Sequence, residues 1–195
     1  MPPLVVVAGI GNPMRHDDGA GLLVAERAAE LEVQGQAPVA IALAPPVGDP
    51  LDLLWSWDGA EAAVIADATR SGSAPGTLSF AWIARDGECQ AVLSTKAPTS
   101  HGFGVAGAYR VARAVGRGPR QLAVVGIEGL DFSQGEGLTA PVAAAVPAAA
   151  RLLLHVAGRV ANHTSTERWH LGQGFHDVRA PRTDPMEARG RKKYR

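Results

Sequence analysis

Short runs of Val, Ile and Leu alternate with Ala-rich stretches of helical length along most of this chain, and that alternation constrains the fold most. Near-continuous apolar runs belong to strands buried on both faces, and a parallel neighbour is reached by a crossover that is usually a helix. The pattern therefore predicts an α/β protein: three α/β/α layers around a mostly parallel central sheet of about five strands. Strands are expected at Leu4–Ala8, Val39–Leu43, Ala62–Ala66, Thr77–Ile83 and Leu122–Ile127. Helices are expected at Gly21–Glu32, Asp49–Trp57, Phe103–Val115 and Pro141–Ala157. The first should bury a face of Leu22, Leu23, Ala25, Ala29 and Val33. Asp49 or Asp52 should cap the second, and Pro147 should kink or restart the last.

At 195 residues there is room for one domain with a substantial core. We expect that domain over 1–157, followed by a basic polar tail over 158–195 that periodicity does not organise. The formal net charge is zero, so no global field argues for nucleic acid or an anionic membrane as partner. No apolar stretch reads as the roughly 18–20 residues a membrane span needs, and the start of the chain lacks a signal-peptide pattern. A single cysteine, Cys89, excludes an internal disulfide. It points to a reducing compartment, so a cytoplasmic location is expected. Cys89 falls in the polar turn expected at Asp86–Gln90 and reads as a bystander.

The chemistry concentrates in Gly9-Ile-Gly-Asn-Pro-Met-Arg-His-Asp-Asp-Gly-Ala-Gly21, between the first strand and the first helix. Ligands of open parallel sheets bind at the carboxyl ends of strands. Gly9, Gly11, Gly19 and Gly21, with Asn12, suit a loop of tight turns and close backbone approaches. A dinucleotide fingerprint needs a third Gly where Met14 stands, and no Gly-Lys-Ser/Thr phosphate loop occurs, so no nucleotide cofactor is expected. The loop instead holds His16, Asp17 and Asp18, each a ligand or acid/base candidate. Either Asp could equally cap the helix that follows.

Two further features join it. Asp67 ends the apolar run Ala62–Ala66, with capping or bonding of loop amides as its plain structural role. His101, in Thr99-Ser-His-Gly102, stands just ahead of a helix, where a structural histidine is also common. Together, Asp18, Asp67 and His101 all fall on loops or strand ends that a doubly wound sheet gathers on one edge. Two carboxylates and an imidazole suit a divalent first-row ion such as nickel or zinc.

The opening Gly-Ile-Gly-Asn…Asp-Asp-Gly-Ala-Gly resembles that of the hydrogenase maturation endopeptidases. Asp67-Ala68 with Pro75-Gly76, Ser100-His101-Gly102, Val124–Glu128 and Gly137-Leu-Thr139 follow in that family's order, over about residues 4–157. The resemblance implies an α/β/α fold. It also implies removal of a C-terminal peptide from the large-subunit precursor of nickel–iron hydrogenase once nickel is inserted. Asp18, Asp67 and His101 would engage that nickel, which the substrate carries, with Asp18 and Asp67 at the catalytic centre. His16 or Asp17 would serve as accessory acid or base. One departure stands near this site: Ala44-Pro45-Pro46-Val47-Gly48-Asp49 replaces a Gly-Gly-Thr-like loop of many members.

Competing readings remain at this point. Asp18 and Asp67 could form a proton-sharing aspartic dyad. A peptidyl-tRNA hydrolase-like esterase shares Gly-x-Gly-Asn-Pro, but its Tyr and His-Asn spacing is missing. A non-cleaving nickel-checkpoint or assembly factor for the large subunit would also carry these motifs. No Gly-x-Ser-x-Gly elbow supports a serine nucleophile.

Overall fold

The computed structural model describes residues 5–35, 41–83, 89–91 and 104–162. Six strands form one sheet: β1 (Val5–Gly9), β2 (Ala42–Leu43), β3 (Ala62–Thr69), β4 (Leu78–Ile83), β5 (Cys89–Ala91) and β6 (Gln121–Glu128), in the order β2-β1-β3-β6-β4-β5. β2, β1, β3 and β6 run parallel, whereas β4 is antiparallel to both β6 and β5. Among the described residues the α-helices are α1 (Ala20–Val33), α2 (Leu53–Ser56), α3 (Gly104–Ala114) and α4 (Ala140–Asn162). The α/β/α expectation holds. The extra strand is β5, whose three residues are too few to show a period.

Side chains alternate across the buried strands and divide the core in two. Val5, Val7, Val64, Ala66, Val125 and Ile127 face α1 and α4. Val6, Ala8, Ala63, Ile65, Leu122 and Val124 face α2 and α3, where Trp57 meets Tyr109 edge to face at 6.2 Å.

Several expectations need correcting. β3 does not end at Asp67: all eight of its residues are buried, and Asp67 pairs in register with Gly126 inside the strand. Of the expected α1 face only Ala25 is fully buried; it joins Ala20, Val24, Ala28 and Leu31, while Leu23 and Val33 are exposed. The cause is Gly21, where a side chain would strike the carbonyls of Ala66 and Ile10. That backbone approach fixes which face meets the sheet, and small residues fill it. Cys89 lies in a strand, not a turn. α4 runs unbroken through Pro147 and five residues beyond Ala157, past the expected domain boundary. It is also long and apolar enough to cross a membrane, contrary to the sequence reading, but its buried stripe packs on the sheet as a core helix. Asp49 does cap the turn before α2, accepting from the Leu51 N–H at 2.8 Å.

Candidate active site at the carboxyl edge of the sheet

β1 ends at Gly9, and its continuation is stitched to both neighbouring segments. Ile10 N–H donates to the Ala66 carbonyl at 2.9 Å, and Gly11 N–H to that of Val47 at 3.0 Å. The Pro45-Pro46 segment that departs from the family pattern therefore lies against the motif loop, with Val47 buried. Gly11, at φ 149°, lets the backbone of Asp18 close over it, a position a side chain would occupy. A 3-10 turn, His16–Gly19, then leads directly into α1. Gly19 makes no side-chain cap, so neither Asp17 nor Asp18 acts as the N-cap of α1.

These two neighbours have different fates. The Asp18 carboxylate, buried, accepts from the Asn12 N–H at 3.2 Å. The Asp17 carboxylate turns to the segment joining β6 to α4. It accepts from the N–H groups of Leu130 (2.8 Å), Asp131 (2.9 Å) and Thr139 (2.7 Å), and from the Thr139 hydroxyl at 2.9 Å. Burial works to raise its pKa, but these donors outweigh burial and hold it below the ordinary carboxylate value. His16 sits at φ 46°, in the left-handed region, with Nδ1 3.1 Å from the Gly137 carbonyl and its ring packed against Gly135.

Asp67 is 1% exposed. Its place in β3 sets it on the face covered by α2 and α3, near the carboxyl end of the strand. Burial pushes its carboxyl well above the usual range, the charge of Asp18 pushes the same way, and the Ala68 N–H opposes them. Asp18 and Asp67 are thus electrostatically coupled although 49 positions separate them in the chain. His101 lies outside the described residues, three positions ahead of α3. Among the described residues no three His, Cys, Asp or Glu side chains gather into a metal-holding set. What the structure supplies is two carboxylates of that set, hard oxygen donors suited to a divalent ion, one from the 3-10 turn ahead of α1 and one from β3.

Sequence reasoning missed a fourth buried carboxylate. Glu128 ends β6 and gathers the segment after β3, accepting from the N–H groups of Ser71 (2.7 Å) and Gly72 (2.7 Å) and the hydroxyls of Ser71 (2.8 Å) and Thr69 (3.0 Å). Burial raises its pKa, but these donors prevail and lower it. The signal was present: Val124–Glu128, like Val64–Asp67, is an apolar run closed by an acid.

An α/β/α sheet with coupled acids at its carboxyl edge defines the class of protein, and comparison with known proteins narrows it. The family described as hydrogenase maturation protease matches residues 48–156, more than half of the chain. The hydrogenase expression/formation protein HupD of Rhodobacter capsulatus is 29% identical over 143 residues, covering 73% of this chain and 65% of that protein, just under two thirds of its length. Among solved structures, the hydrogenase maturating endopeptidase HybD from Escherichia coli superposes with a TM-score of 0.60 at 25% identity, covering 78% of this chain and 91% of that one. A second Escherichia coli endopeptidase gives a TM-score of 0.62 at 26% identity, covering 80% and 92%. This chain belongs to the hydrogenase maturation protease family. That family is distinct from the peptidyl-tRNA hydrolases that share its opening motif.

Proposed function

We propose that this protein is an endopeptidase that removes a C-terminal peptide from the large-subunit precursor of a nickel–iron hydrogenase after nickel insertion, and that it recognises the metal. The observation carrying this reading is the buried Asp18–Asp67 pair at the carboxyl edge of the sheet. Family membership supports the substrate class.

Nickel enters this scheme as part of the substrate. Asp18 and Asp67 present carboxylate oxygens to it, and His101 is the imidazole ligand that the family resemblance implies. An ion so held, with positions still open, can polarise the scissile carbonyl or acidify a water. Burial of the two acids strengthens their attraction for a cation over what water would allow. Of the accessory candidates, His16 keeps a partly exposed ring for proton transfer. The Asp17 carboxylate is committed to its donors.

The test is the intact mass of a large-subunit precursor, nickel-loaded and nickel-free, after incubation with the full chain. Loss of a C-terminal peptide from the loaded form alone is expected. A second reading draws on the same coupling: two close carboxylates sharing a proton also suit a metal-independent aspartic dyad. Equal cleavage of both forms would establish that alternative. Binding without any mass change would instead mean a checkpoint or assembly factor.

A further inference from the structure

We propose that Asp17 is a positioning residue: its carboxylate locks the β6–α4 segment to the 3-10 turn and thereby sets Asp18 against Asp67. The inference rests on the metal-recognition reading above and adds a residue to it.

The attachment is built from both sides. Besides the donors that converge on the Asp17 carboxylate, Asp17 N–H donates to the Asp131 carbonyl at 3.0 Å and His16 N–H to that of Gly135 at 2.8 Å. Gly135 N–H returns to the Met14 carbonyl at 2.9 Å, and the Arg15 guanidinium donates twice to the Phe132 carbonyl, at 3.0 and 3.2 Å. Gly129 carries no side chain where one would press on Asp17 and the Phe132 ring.

The turn joined in this way is the one that presents Asp18. Asp18 N–H donates to the Arg15 carbonyl at 3.1 Å, and its carboxylate takes the Asn12 N–H. Any shift of the turn moves Asp18, whereas Asp67 is fixed inside β3 between β1 and β6. A buried carboxylate serving three backbone N–H groups and a hydroxyl cannot be replaced by an amide without turning an NH2 toward a donor. The Asp17 clamp therefore governs one ligand's place relative to the other.

The experiment compares Asp17→Asn, Thr139→Val and Val160→Ala in the full chain. Val160, buried at the far end of α4, serves as a control for plain core destabilisation. Aqueous Ni2+ binding is measured by calorimetry at a temperature where circular dichroism shows each variant folded. Asp17→Asn should weaken binding by about tenfold or more, the usual scale for a group that orients a ligand. Thr139→Val, which leaves the backbone donors in place, should weaken it by roughly two- to threefold, and Val160→Ala should leave it unchanged. If both site variants behave like Val160→Ala, losing melting temperature but no affinity, the positioning role is overturned.

If the unsubstituted protein takes up no Ni2+, the metal reading fails for the free protein, and hydrogen exchange at the Asn12 amide decides the positioning role separately. Faster exchange there in Asp17→Asn but not in Val160→Ala sustains it. Unchanged exchange overturns it.

Discussion

Among the described residues four buried carboxylates stand at the same edge of this sheet, and three of them divide into two kinds. Asp17 and Glu128 are ringed by N–H and hydroxyl donors that outweigh burial and hold both as carboxylates. Asp67 is as deeply buried, yet burial and the charge of Asp18 outweigh its Ala68 N–H and favour the protonated form. The donors of Asp17 and Glu128 come from the segments flanking the site, so those two acids spend their charge on shape. Asp67 carries a charge only at a cost in stability. Donors mark Asp17 and Glu128 as structural, and the raised pKa marks Asp67 as the candidate for function proposed above.

The largest expected effect breaks the second kind. Asp67→Asn should abolish cleavage of the nickel-loaded precursor, on the order of 10³-fold or more if the residue contacts the metal. It should at the same time stabilise the free protein by roughly 1 kcal/mol, a rise in Tm of about 2–4 °C for a chain of this size. The sign follows from the raised pKa. The stability contributed by protonated Asp67 is complete below its unfolded value and is lost as pH rises through its folded value. The neutral amide removes that loss, so urea unfolding should show the variant gaining on the parent as pH rises across this window. A variant less stable than its parent at neutral pH would end the distinction between the two kinds of acid.

Glu128 tests the first kind, with the opposite sign. Glu128→Ala leaves the Ser71 and Gly72 amides and two hydroxyls without their acceptor, and should cost about 2–4 kcal/mol. Because the Glu128 pKa is lowered, its contribution is present above the unfolded value and disappears as pH falls through the folded one. The difference in stability between parent and variant should therefore shrink under acid, as followed by chemical unfolding between neutral pH and about pH 3. A difference independent of pH would mean that the lost contacts are those of shape alone.

The division between these acids was only half legible in the sequence. The strands were visible because buried parallel strands read as apolar runs, and the motif loop was visible because its glycines permit backbone approaches. The face of α1 was not: several of its sides are apolar, and the Gly21 contact with Ala66 and Ile10 selects among them from 45 and 11 positions away. Asp17 and Asp18 are identical in chemistry and adjacent, so composition cannot separate them. What separates them are the Asp17 donors at Leu130, Asp131 and Thr139, 113–122 residues distant. Glu128 was noticed as part of a run but given no role, since its partners lie 55–59 positions back.

The smallest effect sharpens the comparison at a residue belonging to neither kind. His16 shares the turn with Asp17 and Asp18, but its ring is partly exposed and its backbone sits at φ 46°. Asn tolerates that left-handed conformation better than most residues, so His16→Asn should change stability by no more than about 0.5 kcal/mol. Its effect on cleavage then reports chemistry rather than folding. If the imidazole transfers a proton, kcat should fall by about 10²-fold or more, with loss of the limb of the pH–rate profile that reports it and little change in KM. An unchanged profile would leave proton transfer to the metal-held water and the Asp18–Asp67 pair, and reduce His16 to the packing it makes against Gly135. Either result separates the chemistry of the imidazole from the placing of Asp18 by the turn, because the Asp17 carboxylate and its donors are untouched by the substitution.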